Sequence, residues 1–145
     1  MVVDIRLAGV DDYPVCVELL ELLSQAADSV SEPFTPETFN QVVANQRAAV
    51  LLAQEQGKVL GMASISFNLA LRYDGEYCQL EELIVAPTAR GKNVGGLLME
   101  ETIRVARLRG CKEFGLYLLA ATEHNQPFYE KYGFIRMGAE MRQSL

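Results

Sequence analysis

Leu80-Glu81-Glu82-Leu83-Ile84-Val85-Ala86-Pro87-Thr88-Ala89-Arg90-Gly91-Lys92-Asn93-Val94-Gly95-Gly96-Leu97-Leu98 compresses a strand, a turn and a helix start into nineteen residues. The apolar run up to Val85 reads as a buried strand, and Pro87 lacks the N–H that would continue it centrally. Leu97, Leu98, Ile103 and Val105 then form the apolar stripe of a helix that starts near Asn93–Val94. Gly110 stops that helix just after Arg109. About four unpaired N–H groups project from such a helix start, with the positive end of its dipole behind them. Gly91, Gly95 and Gly96 let this backbone approach a ligand without a Cβ in the way, while Arg90 and Lys92 add charge. The combination suits a pyrophosphate. It is neither GxxxxGK[ST] nor GxGxxG, because Gly91-Lys92 is followed by Asn93 and the upstream glycine is missing. The residues alone leave several phosphorylated ligands open, as well as a purely structural role for the glycines.

Upstream, Val2–Ala8 alternates like a first strand, and Asp11 can cap a helix over Asp12–Ala27. Asp28–Phe34 reads as a loop. Thr35-Pro36-Glu37 opens a second helix running to about Ala48. Ala49–Gln54 and Lys58–Asn68 are the arms of a hairpin turning at Gln56-Gly57. A loop over Leu69–Gly75 leads to the strand Glu76–Val85. Downstream of the long helix come a strand at Phe114–Leu119, a helix at Glu123–Tyr132 and closing strand material at Phe134–Gln143. The order β-α-α-β-β-β-α-β-α-β predicts one domain over residues 1–145, an α/β (α+β) fold with a mixed, mostly antiparallel sheet covered by helices.

Composition narrows the class. Half of the 145 residues are hydrophobic and 22% are charged, as in a globular protein with a sizeable core. Apolar runs such as Val59–Ile65 are far shorter than the roughly 20 residues that cross a bilayer, and no secretory signal precedes the first strand. A cytoplasmic protein is expected. Cys16, Cys78 and Cys111 form no CxxC pair and His124 is the single histidine, so neither a disulfide framework nor a zinc site is expected. The net charge of −6 argues against nucleic-acid binding. Residues 1–82 hold 13 acidic and 4 basic side chains, and residues 83–145 hold 6 and 9. A basic half suits a phosphorylated ligand and an acidic half a cationic one.

Two motifs in order resemble the GNAT superfamily of acetyl-CoA-dependent N-acetyltransferases. Leu83-x-Val85-x-Pro87 followed by Arg90-Gly91-Lys92-Asn93-Val94-Gly95 is similar to that family's Q/R-x-x-G-x-G/A turn. Phe128-Tyr129-Glu130-Lys131-Tyr132-Gly133-Phe134 is similar to its F-Y-x-x-x-G-F signature. The resemblance covers essentially the whole length. Asn93 departs from it, standing where the turn usually has glycine; Asn is the non-glycine residue best suited to positive φ.

The resemblance implies acetyl-CoA as co-substrate and direct attack of an amine on its thioester. Leu83, Ile84 and Val85 would pair with the pantetheine arm as an added strand. Arg90, Gly91, Lys92, Asn93, Val94, Gly95 and Gly96 would hold the pyrophosphate, and Asn125 and Phe128 would flank the thiol end. Adjacent strand residues point to opposite faces, so only one of Glu81 and Glu82 is expected at the cleft. In relatives with this strand pattern the first acid tends to hold the base role, which points to Glu81 here, with Glu82 as base, or both acids as plain surface carboxylates, the alternatives. Tyr129 would protonate the departing thiolate. The acceptor, a small-molecule or peptide amine, would lie between the first helices and the strand loops, where Asp28, Glu32, Asp74 and Glu76 would favour a cation. A homodimer is expected by resemblance. A non-catalytic CoA-binding sensor or scaffold, and a phosphate-binding domain unrelated to CoA, remain the alternatives.

Overall fold

The computed structural model describes residues 2–26 and 34–145. Five strands form one sheet in chain order: β1 (Asp4–Leu7), β2 (Ala48–Glu55), β3 (Lys58–Ala70), β4 (Gly75–Val85) and β5 (Phe114–Gly115). The first four pair antiparallel, and β5 joins β4 in parallel. Helices α1 (Tyr13–Ala26) and α2 (Pro36–Ala44) lie on one face, and α3 (Val94–Arg109) and α4 (Gln126–Lys131) on the other. This is the mixed, two-faced sheet the element order implies.

Each face has its own core. Leu51, Ala53, Ala63, Ile65, Phe67, Cys78 and Leu80 meet Val94, Leu98 and Met99 of α3, whereas Val50, Leu52 and Met62 meet Cys16, Leu19 and Phe39. The fully buried Leu52, Ile65 and Leu98 each contribute about 1.5–3 kcal/mol by leaving water. Gly61 sets the spacing between β3 and α3. A Cβ there would lie 2.9 Å from the Ile84 carbonyl oxygen and 3.0 Å from Val94 Cγ1. Burial pushes the Cys16 thiol up to about 11 and that of Cys78 up to about 12, so both act as small apolar residues.

Local chemistry sets the boundaries. Thr35 Oγ1 accepts from the Thr38 amide at 3.2 Å with Pro36 in the first turn, as expected. The carboxylate at the start of α1 belongs to Asp12 and not Asp11. Asp12 accepts from the Gly9 amide at 2.7 Å and is gripped by both Arg6 amino groups at 2.8 Å, after a 3-10 turn over Val10–Asp12. Helix α2 stops at Ala44, short of the expected Ala48, because Asn45 turns extended and its side chain accepts from the Arg47 amide. The β2–β3 turn takes Gln56 and Gly57 at φ 51° and 79°, a pairing that matches strand twist. Strand β3 runs on to Ala70, so the expected loop over Leu69–Gly75 shrinks to a 3-10 turn closed by Asp74 at φ 49°.

The C-terminal third differs most. Strand β5 is two residues long instead of reaching Leu119, and no strand forms over Phe134–Gln143. Phe134 is anchored by edge-on contact with Phe114. Beyond it, no residue from 135 to 145 makes a backbone–backbone hydrogen bond among the described residues. The alternation that suggested a strand is present, but within one chain it finds no ladder. The expected helix over Glu123–Tyr132 divides between Asn125 and Gln126 into a 3-10 turn (Ala120–Asn125) and α4, which carries Pro127 in its first turn. The loop expected over Asp28–Phe34 lies outside the described residues except for Phe34, whose carbonyl accepts from the Tyr13 hydroxyl at 2.7 Å.

Candidate active site

Strand β4 is paired with β3 from Gly75 to Val85, but with β5 at Cys78 and Gln79 alone. From Leu80 to Val85 the edge facing β5 is therefore without a strand partner among the described residues. Beside it, the Phe128 ring of α4 lies over Gly95 at the start of α3. An extended chain can add to such an edge through main-chain hydrogen bonds. Leu83, Ile84 and Val85 lie along it, Leu83 and Val85 facing the α3 core and Ile84 facing the α1 core.

At the end of this edge the chain passes through a 3-10 turn (Pro87–Ala89), Arg90 extended, Gly91 at φ 85° and Asn93 at φ 56°, and enters α3. Asn93 thus occupies the left-handed region that its side chain tolerates best outside glycine. Arg90 and Lys92 donate backward to Pro87 and Ala89. Among the described residues, the amides of Gly91, Asn93, Val94, Gly95 and Gly96 have no acceptor. Five donors at the positive end of a 16-residue helix fit a doubly charged phosphate bridge. The fit extends to Cβ space. Gly95 sits under the Phe128 ring, with 3.4 Å left for a Cβ, and a Cβ on Gly96 would collide with Asn93 Oδ1 and Tyr132 Oη. Lys92 Nζ is held by Glu55 at 2.7 Å, so of the two expected cations Arg90 is the one without a carboxylate partner among the described residues.

A bulge shapes the middle of β4. Ser64 pairs with Glu82 and Ile65 with Leu80, so the ladder skips Glu81. An extra residue interrupts side-chain alternation. The outcome is visible in the hydrogen bonds: Ser64 Oγ donates to Glu82 at 2.7 Å and Ser66 Oγ donates to Glu81 at 2.6 Å. Ser64 and Ser66 are two apart on β3 and share a face, so both carboxylates lie on the α1 side of the sheet. The expectation of opposite faces fails because strand alternation does not survive a bulge. Asn68, one step further, donates to Ser66 Oγ at 3.0 Å. Glu81 is exposed, whereas Glu82 is half-buried. Burial pushes the Glu82 carboxyl up, the Ser64 hydrogen bond opposes this, and the Glu81 charge adds to the rise.

Tyr129 lies edge-on to Phe128 and Phe134. Burial raises its phenol, which keeps the proton at neutral pH, and its hydroxyl has no hydrogen-bond partner among the described residues. Asn125 precedes α4 and is partly buried. Glu76, expected in an acidic lining, is instead clamped by Arg109 at 2.8 and 3.1 Å, which holds its carboxyl below the usual range. Asp74 closes the β3–β4 turn and is exposed. Asp28 and Glu32 lie outside the described residues. Sequence reading missed Ser64, Ser66, Asn68 and Tyr132. The first three were signalled by Ala63-Ser64-Ile65-Ser66-Phe67-Asn68, where polar and apolar residues alternate strictly.

The sequence model of the acetyltransferase (GNAT) family matches residues 16–134. The chain belongs to that family. Members use acetyl-CoA to acetylate an amine, the reaction expected from the two motifs, and the enzymatic reading is favoured over the non-catalytic one. A glucosamine 6-phosphate N-acetyltransferase of Trypanosoma brucei brucei is 30% identical over 97 residues, which cover 66% of this chain and 64% of that protein. Glucosamine 6-phosphate N-acetyltransferase 1 of Dictyostelium discoideum is 27% identical over 144 residues, 96% of this chain and 88% of that one. Among solved structures, a transcriptional regulator from Bacillus halodurans C-125 superposes with a TM-score of 0.87 at 23% identity, over 99% of this chain and all of that one. That likeness concerns the fold. No helix among the described residues is long and apolar enough to cross a membrane.

Proposed function

We propose that this GNAT-family chain binds acetyl-CoA along the open edge of β4 and the Arg90–Gly96 turn, and that Glu81, Glu82 and Tyr129 handle the protons. The observation that carries the proposal is the adjacency of an open strand edge, five unpaired amides at a helix start and a carboxylate pair on the same strand. Acetyl-CoA supplies an activated thioester. The chain supplies place and protons: Leu83, Ile84 and Val85 offer main-chain groups to the pantetheine arm. The amides from Gly91 to Gly96 take the pyrophosphate with Arg90 and Lys92 at the rim, and Asn125 and Phe128 flank the thiol end. The attacking amine must be neutral, so its proton goes to a carboxylate, directly or through water. Burial raises the proton affinity of Glu82 above the ordinary glutamate range, and exposed Glu81 beside it connects the pair to solvent. The proposal thus places the base role on the pair, with Glu82 beside the Glu81 that the resemblance favours. Tyr129, protonated and unpartnered, gives its proton to the CoA thiolate.

The test is calorimetric titration with acetyl-CoA together with CoA-thiol release in the presence of amines. Micromolar binding, abolished in Gly96→Val and retained in Glu82→Gln, is expected. Absence of binding to the unaltered protein contradicts the proposal.

The proposal includes a cytoplasmic enzyme, supported by three unpaired cysteines, and a homodimer. Ile135, Met137 and Met141 alternate on the ladder-free C-terminal segment at 74%, 82% and 97% exposure, and Tyr117 and Leu119 beyond β5 are exposed as well. Apolar alternation without a ladder suits pairing with a second copy. Light scattering of the whole protein and of a chain ending at Gly133 tests it: a dimer that becomes a monomer on truncation is expected, and a monomeric whole protein contradicts it.

A further inference from the structure

We infer that Tyr132 is a further ligand for the phosphate bridge of the cofactor, its phenol hydroxyl donating to a phosphate oxygen above the first turn of α3. This rests on the transferase reading above and deepens it, adding a side chain to a site so far built mainly from main-chain amides.

Tyr132 directly follows the last residue of α4 and stands four residues after Phe128, a spacing that places both rings on one side of the helix. The two rings lie 5.3 Å apart. Both rest on the start of α3. A Cβ on Gly95 would meet the Phe128 ring at 3.4 Å, and a Cβ on Gly96 would run into Tyr132 Oη and Asn93 Oδ1. The Cβ of a helical residue points toward the helix N-terminus. The Tyr132 hydroxyl therefore stands over the first turn of α3, where the amides of Asn93, Val94, Gly95 and Gly96 have no acceptor among the described residues. Gly96 is buried beneath it, and Tyr132 itself is half-buried.

Packing accounts for the ring and leaves the oxygen unexplained. Phe128 makes the same kind of contact with Gly95 through carbon atoms alone. Tyr132 instead brings its hydroxyl to Gly96, and that hydroxyl has no hydrogen-bond partner among the described residues. Asn93, the other side chain at this point, makes no cap hydrogen bond to the helix either. The amides and the phenol are all donors, and one phosphate oxygen can accept from both kinds together. Such an oxygen also ties α4, which carries Tyr129, to the start of α3. Gly95 and Gly96 thus serve twice, giving the phosphates access to the backbone and seating the two α4 rings against it.

The test compares the whole wild-type protein with Tyr132→Phe, a change that keeps the ring and removes only the hydroxyl. Calorimetry reads the acetyl-CoA Kd. Displacement of acetyl-CoA by S-acetylpantetheine, which ends before the phosphates, reads the contribution of the arm alone. In Tyr132→Phe the acetyl-CoA Kd should rise about tenfold, worth about 1.4 kcal/mol, with the S-acetylpantetheine constant and the melting temperature unchanged. An unchanged acetyl-CoA Kd overturns the inference. An equal loss for both ligands overturns it as well, because Tyr132 would then act through packing. Failure of acetyl-CoA to bind the wild type would overturn the transferase reading instead, an outcome read before any variant is compared.

Discussion

The turn from Pro87 to Gly96 and the bulge at Glu81–Glu82 sit a few residues apart and are built on opposite terms. At the turn the chemistry is backbone: unpaired amides, two positive-φ residues, and Cβ space taken up by Asn93, Tyr132 and Phe128. At the bulge the chemistry is side chain: two carboxylates, each held by one serine, one of them buried enough to bind its proton more tightly. The first region should thus tolerate changes in side-chain identity and resist any added Cβ. The second should tolerate isosteric change in shape and resist loss of charge. Conserving the fold while changing the substrate is then easier at the bulge, because its serines and acids are replaceable without altering the turn.

The contrast can be broken most forcefully by Glu82→Gln. Removing the proton acceptor is expected to lower kcat by about 10²–10⁴-fold with acetyl-CoA binding unchanged, as read by steady-state kinetics and calorimetry. Its stability should move the other way. The folded-state proton affinity of Glu82 is raised, so the wild-type acid is favoured when protonated and penalised as pH rises through its folded pKa. Glu82→Gln should therefore melt higher than wild type at pH 8, and the difference should shrink toward pH 4. The same shift places the rising limb of the pH–rate profile above the ordinary glutamate range.

Tyr129→Phe should cost kcat about 10²-fold with little change in melting temperature, since the ring contacts to Phe128 and Phe134 remain. On the structural side, Gly61→Ala should destabilise by about 1–3 kcal/mol, because its Cβ meets the Ile84 carbonyl, a backbone atom that cannot swing away; denaturant unfolding reads it. The smallest effect belongs to Lys92→Ala. With Nζ already held by Glu55, acetyl-CoA affinity should fall by no more than about threefold, worth roughly 0.6 kcal/mol, in line with an exposed ion pair. A larger loss would show that Lys92 leaves Glu55 to bind phosphate.

The turn was legible in the sequence because its residues dictate their own geometry. Pro87 ends a strand, Gly91 and Asn93 accept positive φ, and the apolar stripe from Val94 fixes the helix. The Glu81–Glu82 arrangement was not, because a bulge is a property of two strands in register: nothing in Leu80-Glu81-Glu82-Leu83 says that β3 will skip Glu81. The absent closing strand has a similar cause. Ile135, Met137 and Met141 alternate correctly, but alternation states a preference for a sheet without naming which edge provides it. The identity of the capping acid, Asp12 over Asp11, depended on Arg6 being within reach.

The central claim is that cofactor binding and proton transfer reside in these two separable regions. Side-by-side measurement of acetyl-CoA affinity and acetyl-transfer rate in Glu82→Gln and Gly96→Val tests it most directly. The account predicts wild-type affinity with a rate reduced at least about 10²-fold in Glu82→Gln, and loss of affinity in Gly96→Val. Normal affinity in Gly96→Val, or an unchanged rate in Glu82→Gln, would contradict it.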